Sequence, residues 1–192
     1  MFAPLHEDSE SEDKCSVVLT APRHSWDDII KHVGKDVWGI DSPHLYQYKI
    51  IKTLVAGASP LKRRALLCVK TGGGKSAVVQ ITAAILRGIH IVLVPLLALG
   101  ADQVSKGNSA RHPYSKTIRA IHLDEVKDPA TLEMVRSFLM NMTSDKTLII
   151  VASPQSLLKK FPWNKLLLDC ALKRNLVRGV YVDEYHQFAA FG

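Results

Sequence analysis

The sequence predicts an α/β domain: a parallel sheet covered by helices on both faces, in three α/β/α layers. Three observations carry this. Short apolar runs of strand length alternate with segments of helical spacing. The runs are nearly continuous in Leu, Ile and Val, as strands covered on both faces are. The intervening segments are long enough to cross back over a sheet, with the right-handed crossovers that parallel strands require.

The expected strands are residues 65–69, 89–94, 117–123, 148–152 and 177–182. The expected helices are residues 46–55, 76–87, 97–106, 130–142 and 165–174. Within 130–142, Leu132, Val135 and Leu139 recur at helical spacing, and Asp128-Pro129 supplies an N-cap acid and a first-turn proline. Between the first helix and first strand, residues 57–64 form a loop holding Gly57, Ser59, Pro60 and the basic trio Lys62-Arg63-Arg64. Three residues are too few for a nuclear signal, and a solvated loop accounts for them.

A chain of 192 residues, 47% hydrophobic and 22% charged, is long and apolar enough for one packed domain. Residues 1–28 are expected to form an acidic, disordered tail and residues 29–192 the domain. The first 13 residues hold Glu7, Asp8, Glu10, Glu12 and Asp13 with no Lys or Arg. Ser9 and Ser11 lie among these acids, either as phosphorylation sites or as part of a solvated tail. Without those five acids the net charge of +7 becomes +12 for residues 14–192, a balance suited to a polyanion such as nucleic acid. Cys15, Cys68 and Cys170 are too far apart for a zinc site or a disulfide framework, and Cys68, inside an apolar run, reads as a buried thiol. The N-terminus lacks a signal peptide's positive charge and no apolar run reaches about 18 residues, so no membrane is expected.

The chemistry is concentrated in two places. The first is Thr71-Gly72-Gly73-Gly74-Lys75-Ser76, between an expected strand and an expected helix. Glycines let successive backbone N–H groups turn inward around phosphate oxygens at a positive helix N-terminus. Lys75 suits the β- and γ-phosphates, and the Ser76 hydroxyl suits Mg²⁺. The general P-loop pattern has a glycine five residues before Gly74, where this chain has Val69; a chance glycine-rich turn is the alternative. The second is Gly179-Val180-Tyr181-Val182-Asp183-Glu184-Tyr185-His186, which sets two carboxylates at the C-terminal end of a strand, where open α/β sheets bind ligands. Asp183 suits a magnesium contact, and Glu184 suits the base that orients attacking water. Alone the pair could be a surface turn; beside the phosphate loop it completes an ATPase site with Lys75, Asp183 and Glu184 as the catalytic set.

These motifs resemble the first RecA-like lobe of superfamily 2 helicases, most of all the RecQ type, over residues 38–192. Thr71-Gly72-Gly73-Gly74-Lys75-Ser76 matches the TGGGKS form of motif I, which accounts for the absent early glycine. Val94-Pro95-Leu96-Leu97-Ala98-Leu99 with Asp102-Gln103-Val104 resembles motif Ia, and Asp183-Glu184-Tyr185-His186 is a DExH form of motif II with Tyr185 where Ala is usual. DEAD-box RNA helicases are less similar, since their motif Ia carries PTREL.

The resemblance implies ATP and Mg²⁺ as cofactors, with Gln47, Thr71, Gly72, Gly73, Gly74, Lys75 and Ser76 holding nucleotide, Gln47 reading adenine, and Ser76 and Asp183 on the metal. It implies nucleic-acid contacts by Pro95, Leu96, Gln103, Ser153 and Pro154, although Gln155 stands where Glu is usual. His186 either links nucleotide to nucleic acid or packs; Phe188 and Phe191 either stack on DNA or belong to the core. The implied parent is an ATP-dependent DNA helicase acting on single-stranded or partly duplex DNA with 3′ to 5′ travel, in the nucleus or otherwise the cytoplasm. A second RecA-like lobe, source of the transition-state arginine, is missing from this chain. The 192 residues are therefore expected to bind nucleotide, hydrolyse it slowly and not unwind. A binding module without catalysis and a P-loop ATPase acting on another cargo are the alternatives.

Overall fold

The computed structural model describes residues 25–59, 62–70, 72–95, 97–159 and 163–184. Four strands form one all-parallel sheet: β1 (Gly88–Leu93), β2 (Ile118–His122), β3 (Thr147–Ala152) and β4 (Val177–Val182), in spatial order β2-β3-β1-β4. The helices are α1 (Trp26–Trp38), α2 (Leu45–Ala56), α3 (Lys75–Leu86), α4 (Leu97–Gly107), α5 (Pro129–Met140), α6 (Pro154–Lys159) and α7 (Trp163–Leu172).

Side chains alternate across the pleat and fill two cores, which makes the three layers. On one face Val92, Ile118, Ala120, Ile149 and Val151 pack with Ile30, Val33, Ile51, Val78 and Ile81 of α1, α2 and α3. On the other, Ile89, Ile91, Leu148 and Ile150 pack with Val135 and Leu139 of α5 and with Leu167 and Cys170 of α7. β3 is buried along its whole length, as its unbroken apolar sequence requires. Each fully buried Ile or Leu of this kind stabilises the fold by about 1.5–3 kcal/mol.

Two helices lay beyond the expected set. α1 includes residues 26–28, assigned above to the acidic tail. Its start is set by a reciprocal capping box, in which the Ser25 side chain accepts from Asp28 N–H and the Asp28 carboxylate accepts from Ser25 N–H. It ends at Gly39, whose φ of 70° suits a left-handed cap. α6 is too short to show a period. α5 follows its expected start: the Asp128 side chain accepts from Thr131 N–H at 2.8 Å with Pro129 at the first position.

The expected strand at residues 65–69 is not paired. Ala65, Leu66 and Cys68 are exposed, and Leu66 is 79% accessible. The sheet therefore has four strands among the described residues, and Cys68 is an exposed thiol rather than a buried one, whereas Cys170 is buried. This segment and β4 both line one cavity of about 1340 Å³, and none of the sheet's pairings involves residues 65–69. The last strand departs from expectation too: Arg178, Val180 and Val182 are exposed, so only one face of β4 is covered.

Candidate nucleotide site and nucleic-acid edge

Parallel strands present all their C-terminal ends at one edge of the sheet, and every described candidate that follows a strand falls there. Asp183 follows β4, Pro95 follows β1 and Ser153 follows β3; Leu123 and Asp124, which were not candidates, follow β2 at the same edge. The phosphate loop reaches the same edge through α3, whose N-cap is Gly74.

Gly72 and Gly74 have φ of 80° and 79°, a region that side-chain-bearing residues rarely enter, and Gly73 N–H donates to Lys70 O at 3.0 Å to close the turn. A Cβ on Gly73 would lie 2.9 Å from Lys70 O, and one on Gly74 would lie 2.6 Å from Gln47 Nε2. The three glycines thus permit a tight loop over the first turn of α3, whose N–H groups and dipole favour an anion. Thr71 lies outside the described residues.

α2 braces this loop from behind. Tyr46 Oη donates to Gly73 O, and Gln47 Nε2 donates to Gly74 O at 2.8 Å while Gln47 Oε1 accepts from His44 N–H at 2.6 Å. Gln47 is 2% exposed, with its amide oxygen and its amide nitrogen each bonded inside the protein. Support of the loop by Tyr46 was not foreseen. No sequence signal marks it, because the contact joins residues 27 positions apart.

In front of the loop, Lys75 Nζ and Glu184 Oε1 are 3.5 Å apart. Asp183 N–H donates to Leu93 O at 2.9 Å, which fixes the end of β4 against β1. Both Asp183 oxygens are oriented: Oδ1 accepts from Glu184 N–H at 3.0 Å and Oδ2 from Gln103 Nε2 at 3.2 Å. Glu184 has φ of 51°, a left-handed conformation costing about 1–2 kcal/mol for a residue with Cβ, at the position carrying the candidate base. Lys75, Ser76, Asp183 and Glu184 line the same cavity. A hydroxyl and one carboxylate are hard oxygen donors of the kind Mg²⁺ uses when it shares its coordination with phosphate oxygens. Among the described residues no group of three or more His, Cys, Asp or Glu forms a self-sufficient metal cage.

The nucleic-acid candidates divide. Pro95 is half-buried at the β1 edge, and Leu96 and His186 lie outside the described residues, as do Tyr185, Phe188 and Phe191. Gln103 points its amide at Asp183. Ser153 is held by an acid the sequence reading did not single out: Asp124 accepts from Ser153 N–H and from Ser153 Oγ, each at 2.8 Å, and from Ser156 Oγ. Burial pushes the Asp124 carboxyl upward in pKa, but the Ser156 and Ser153 bonds outweigh it and leave the pKa lowered. Asp124 thereby fixes the Ser153-Pro154 turn that opens α6. Beside it His122 is buried with neither ring nitrogen hydrogen-bonded, and a Cβ on Gly100 of α4 would collide with that ring.

Behind the edge, His90 of β1 is fully buried, its Nδ1 3.1 Å from Tyr181 Oη and its Nε2 3.0 Å from Arg87 O. Burial lowers its pKa to about 4 and raises that of Tyr181. Gly179 leaves space for this pair, since a Cβ there would lie 2.8 Å from Tyr181 Oη and 2.9 Å from His90 Nδ1.

A glycine-rich loop on a helix N-terminus, a lysine within reach of a strand-end Glu, and an all-parallel sheet define a P-loop nucleotide-binding domain of the RecA-like kind. The chain belongs to the DEAD/DEAH box helicase family, whose profile matches residues 44–192. It is 27% identical over 172 residues to the ATP-dependent DNA helicase RecQ of Synechocystis sp., a match covering 90% of this chain and 31% of that protein. It is 27% identical over 167 residues to the ATP-dependent DNA helicase Q1 of Rattus norvegicus, covering 87% of this chain and 25% of that one. With the ATP-dependent DNA helicase Q-like 5 of Arabidopsis thaliana the identity is 34% over 87 residues, 45% of this chain and 9% of the relative. The chain spans a third or less of the length of these relatives.

Proposed function

We propose that this chain is the ATP-binding lobe of a RecQ-like DNA helicase, in which ATP hydrolysis is coupled to strand separation. The observation that carries the reading is the Lys75–Glu184 approach of 3.5 Å, which brings the phosphate loop and the strand-end carboxylates into one site. Lys75 and the α3 N-terminus bind the β- and γ-phosphates; Ser76 and Asp183 hold Mg²⁺, which neutralises phosphate charge; Glu184 orients the attacking water. Gln47 contacts adenine by exchanging its bond to Gly74 O for the base.

The nucleic acid lies across the edge formed by Pro95 and the Ser153-Pro154 turn. DNA is favoured by the named activities of the similar proteins, and the +12 balance of residues 14–192 suits its phosphates. Titration of single-stranded DNA at rising salt tests this. The expected result is an affinity falling linearly on a double-logarithmic plot, with a slope of roughly −0.7 per phosphate neutralised. Absence of binding, or binding indifferent to salt, contradicts the nucleic-acid part of the reading.

A further inference from the structure

We infer that Gln103 is a positioning residue: its amide holds the Asp183 carboxylate and ties the helix beginning just after the Pro95 turn to the nucleotide site. This rests on the nucleotide-site reading above and deepens it. The family resemblance implies a nucleic-acid contact for Gln103; in the structure its Nε2 donates to Asp183 Oδ2 at 3.2 Å, across 80 residues of chain.

Three contacts make α4 a suitable carrier. Gln103 joins its middle to the end of β4. Gln80 Nε2 of α3, the helix that begins at the phosphate loop, donates to Lys106 O at 2.7 Å near the C-terminal end of α4. Gly100 lies against the buried His122 ring, with no space between them for a side chain. α4 is thus bound to both halves of the nucleotide site and, at Gly100, packed without slack against the end of β2. Close-packed elements transmit a small displacement rather than absorb it.

Asp183 is the proposed cation ligand, and among the described residues its side chain accepts two hydrogen bonds that set its plane, from Glu184 N–H on Oδ1 and from Gln103 on Oδ2. Groups that orient a ligating carboxylate are commonly worth about 10- to 100-fold in metal affinity. A carboxylate oxygen has two lone pairs, so Asp183 can ligate a cation while keeping the Gln103 bond; the carboxylate plane that would suit the cation is then the one α4 sets, and cation binding and the position of α4 are linked. Linkage is reciprocal: whatever moves the Pro95 end of α4 alters cation-dependent nucleotide affinity by the same factor.

The test uses the 192-residue chain with a non-hydrolysable ATP analogue. Calorimetry gives the ratio of analogue affinities in Mg²⁺ and in EDTA; fluorescence anisotropy gives the ratio of single-stranded DNA affinities with and without the Mg²⁺ analogue. Gln103→Met keeps the length and removes the donor; Gln103→Glu keeps the shape and sets a carboxylate against Asp183. The expected result is a loss of about tenfold in the Mg²⁺-to-EDTA ratio in both variants. The DNA ratio is expected to collapse from its wild-type value to near one. Retention of both wild-type ratios overturns the inference. So does an equal fall in DNA affinity with and without analogue, which marks a plain strand contact, or an equal fall in analogue affinity in Mg²⁺ and EDTA, which marks general structural support. A wild-type DNA ratio of one also overturns it, since there is then no linkage to carry. Failure of the wild type to bind analogue at all defeats the nucleotide reading itself, and a wild type that binds while the variants behave like it defeats only the role of Gln103.

Discussion

Gln47→Glu inverts one hydrogen bond while preserving volume, at a residue 2% exposed. Oε1 can still accept from His44 N–H, now 2.6 Å away, but the group 2.8 Å from Gly74 O changes from a donor to an acceptor. Losing a buried hydrogen bond and stranding its carbonyl costs about 1–3 kcal/mol, and an ionised carboxylate there costs more. The acid therefore reduces its penalty by staying protonated, when its O–H can donate to Gly74 O. A rise of about two units above the usual Glu value of about 4.3 corresponds to roughly 3 kcal/mol. With the folded pKa raised, this stability is present below the unfolded pKa and is lost as pH rises through the folded one. Urea unfolding at pH 5, 6 and 8, taken as variant minus wild type, should show a penalty growing with pH to about 3 kcal/mol. For a chain of this size that is a difference of roughly 6–12 °C in Tm at pH 8. Gln47→Ala should show a loss that does not vary with pH. A Gln47→Glu penalty that is flat from pH 5 to 8 would refute the reasoning, since it would mean that the amide is not held against Gly74 O.

Two other perturbations follow from buried groups. His90 has its pKa lowered to about 4, by burial first and Arg178 second, against the raising effect of its bond to Arg87 O. The unfolded chain takes up this proton first, so stability should be full above about pH 6.5 and fall by about 3 kcal/mol as pH drops toward 4. His90→Gln should flatten that slope in pH-dependent urea unfolding, and parallel profiles would count against it. Asp124→Ala removes the acceptor of three hydrogen bonds at the Ser153 turn and should cost about 2–4 kcal/mol in urea unfolding. It should also weaken single-stranded DNA binding severalfold; unchanged DNA affinity would mean that the Ser153-Pro154 turn is not a strand contact.

The legibility of the structure in the sequence followed how local each cause was. Leu148 to Ala152 are apolar on both faces of β3 and read directly as a buried central strand; Asp128-Pro129 read directly as a helix start because capping joins residues three apart. The run at residues 65–69 is equally apolar, yet pairing depends on a neighbour far along the chain, and composition does not report whether an edge is within reach. The Ser25-x-x-Asp28 box ahead of Ile29, Ile30, Val33 and Val37 was a readable start for α1, hidden by the acidic stretch before it. At the candidate site, the gathering of Lys75, Ser76, Asp183 and Glu184 around one cavity was legible because two motifs at strand and helix ends carry them. The bonds that position them were not: Gln47 to Gly74, Gln103 to Asp183 and Asp124 to Ser153 span 27, 80 and 29 residues.

Calorimetric titration of Mg²⁺-ATP into the wild type and Lys75→Ala tests the central claim most directly. Lys75 lies at the first turn of α3, 3.5 Å from Glu184, where the terminal phosphates are proposed to sit. A charge-assisted bond to phosphate is worth about 1.5–3 kcal/mol, so the substitution should weaken binding by roughly 10- to 100-fold. Equal Mg²⁺-ATP affinity in the two proteins would contradict the assignment of the Gly72–Ser76 loop as a phosphate site.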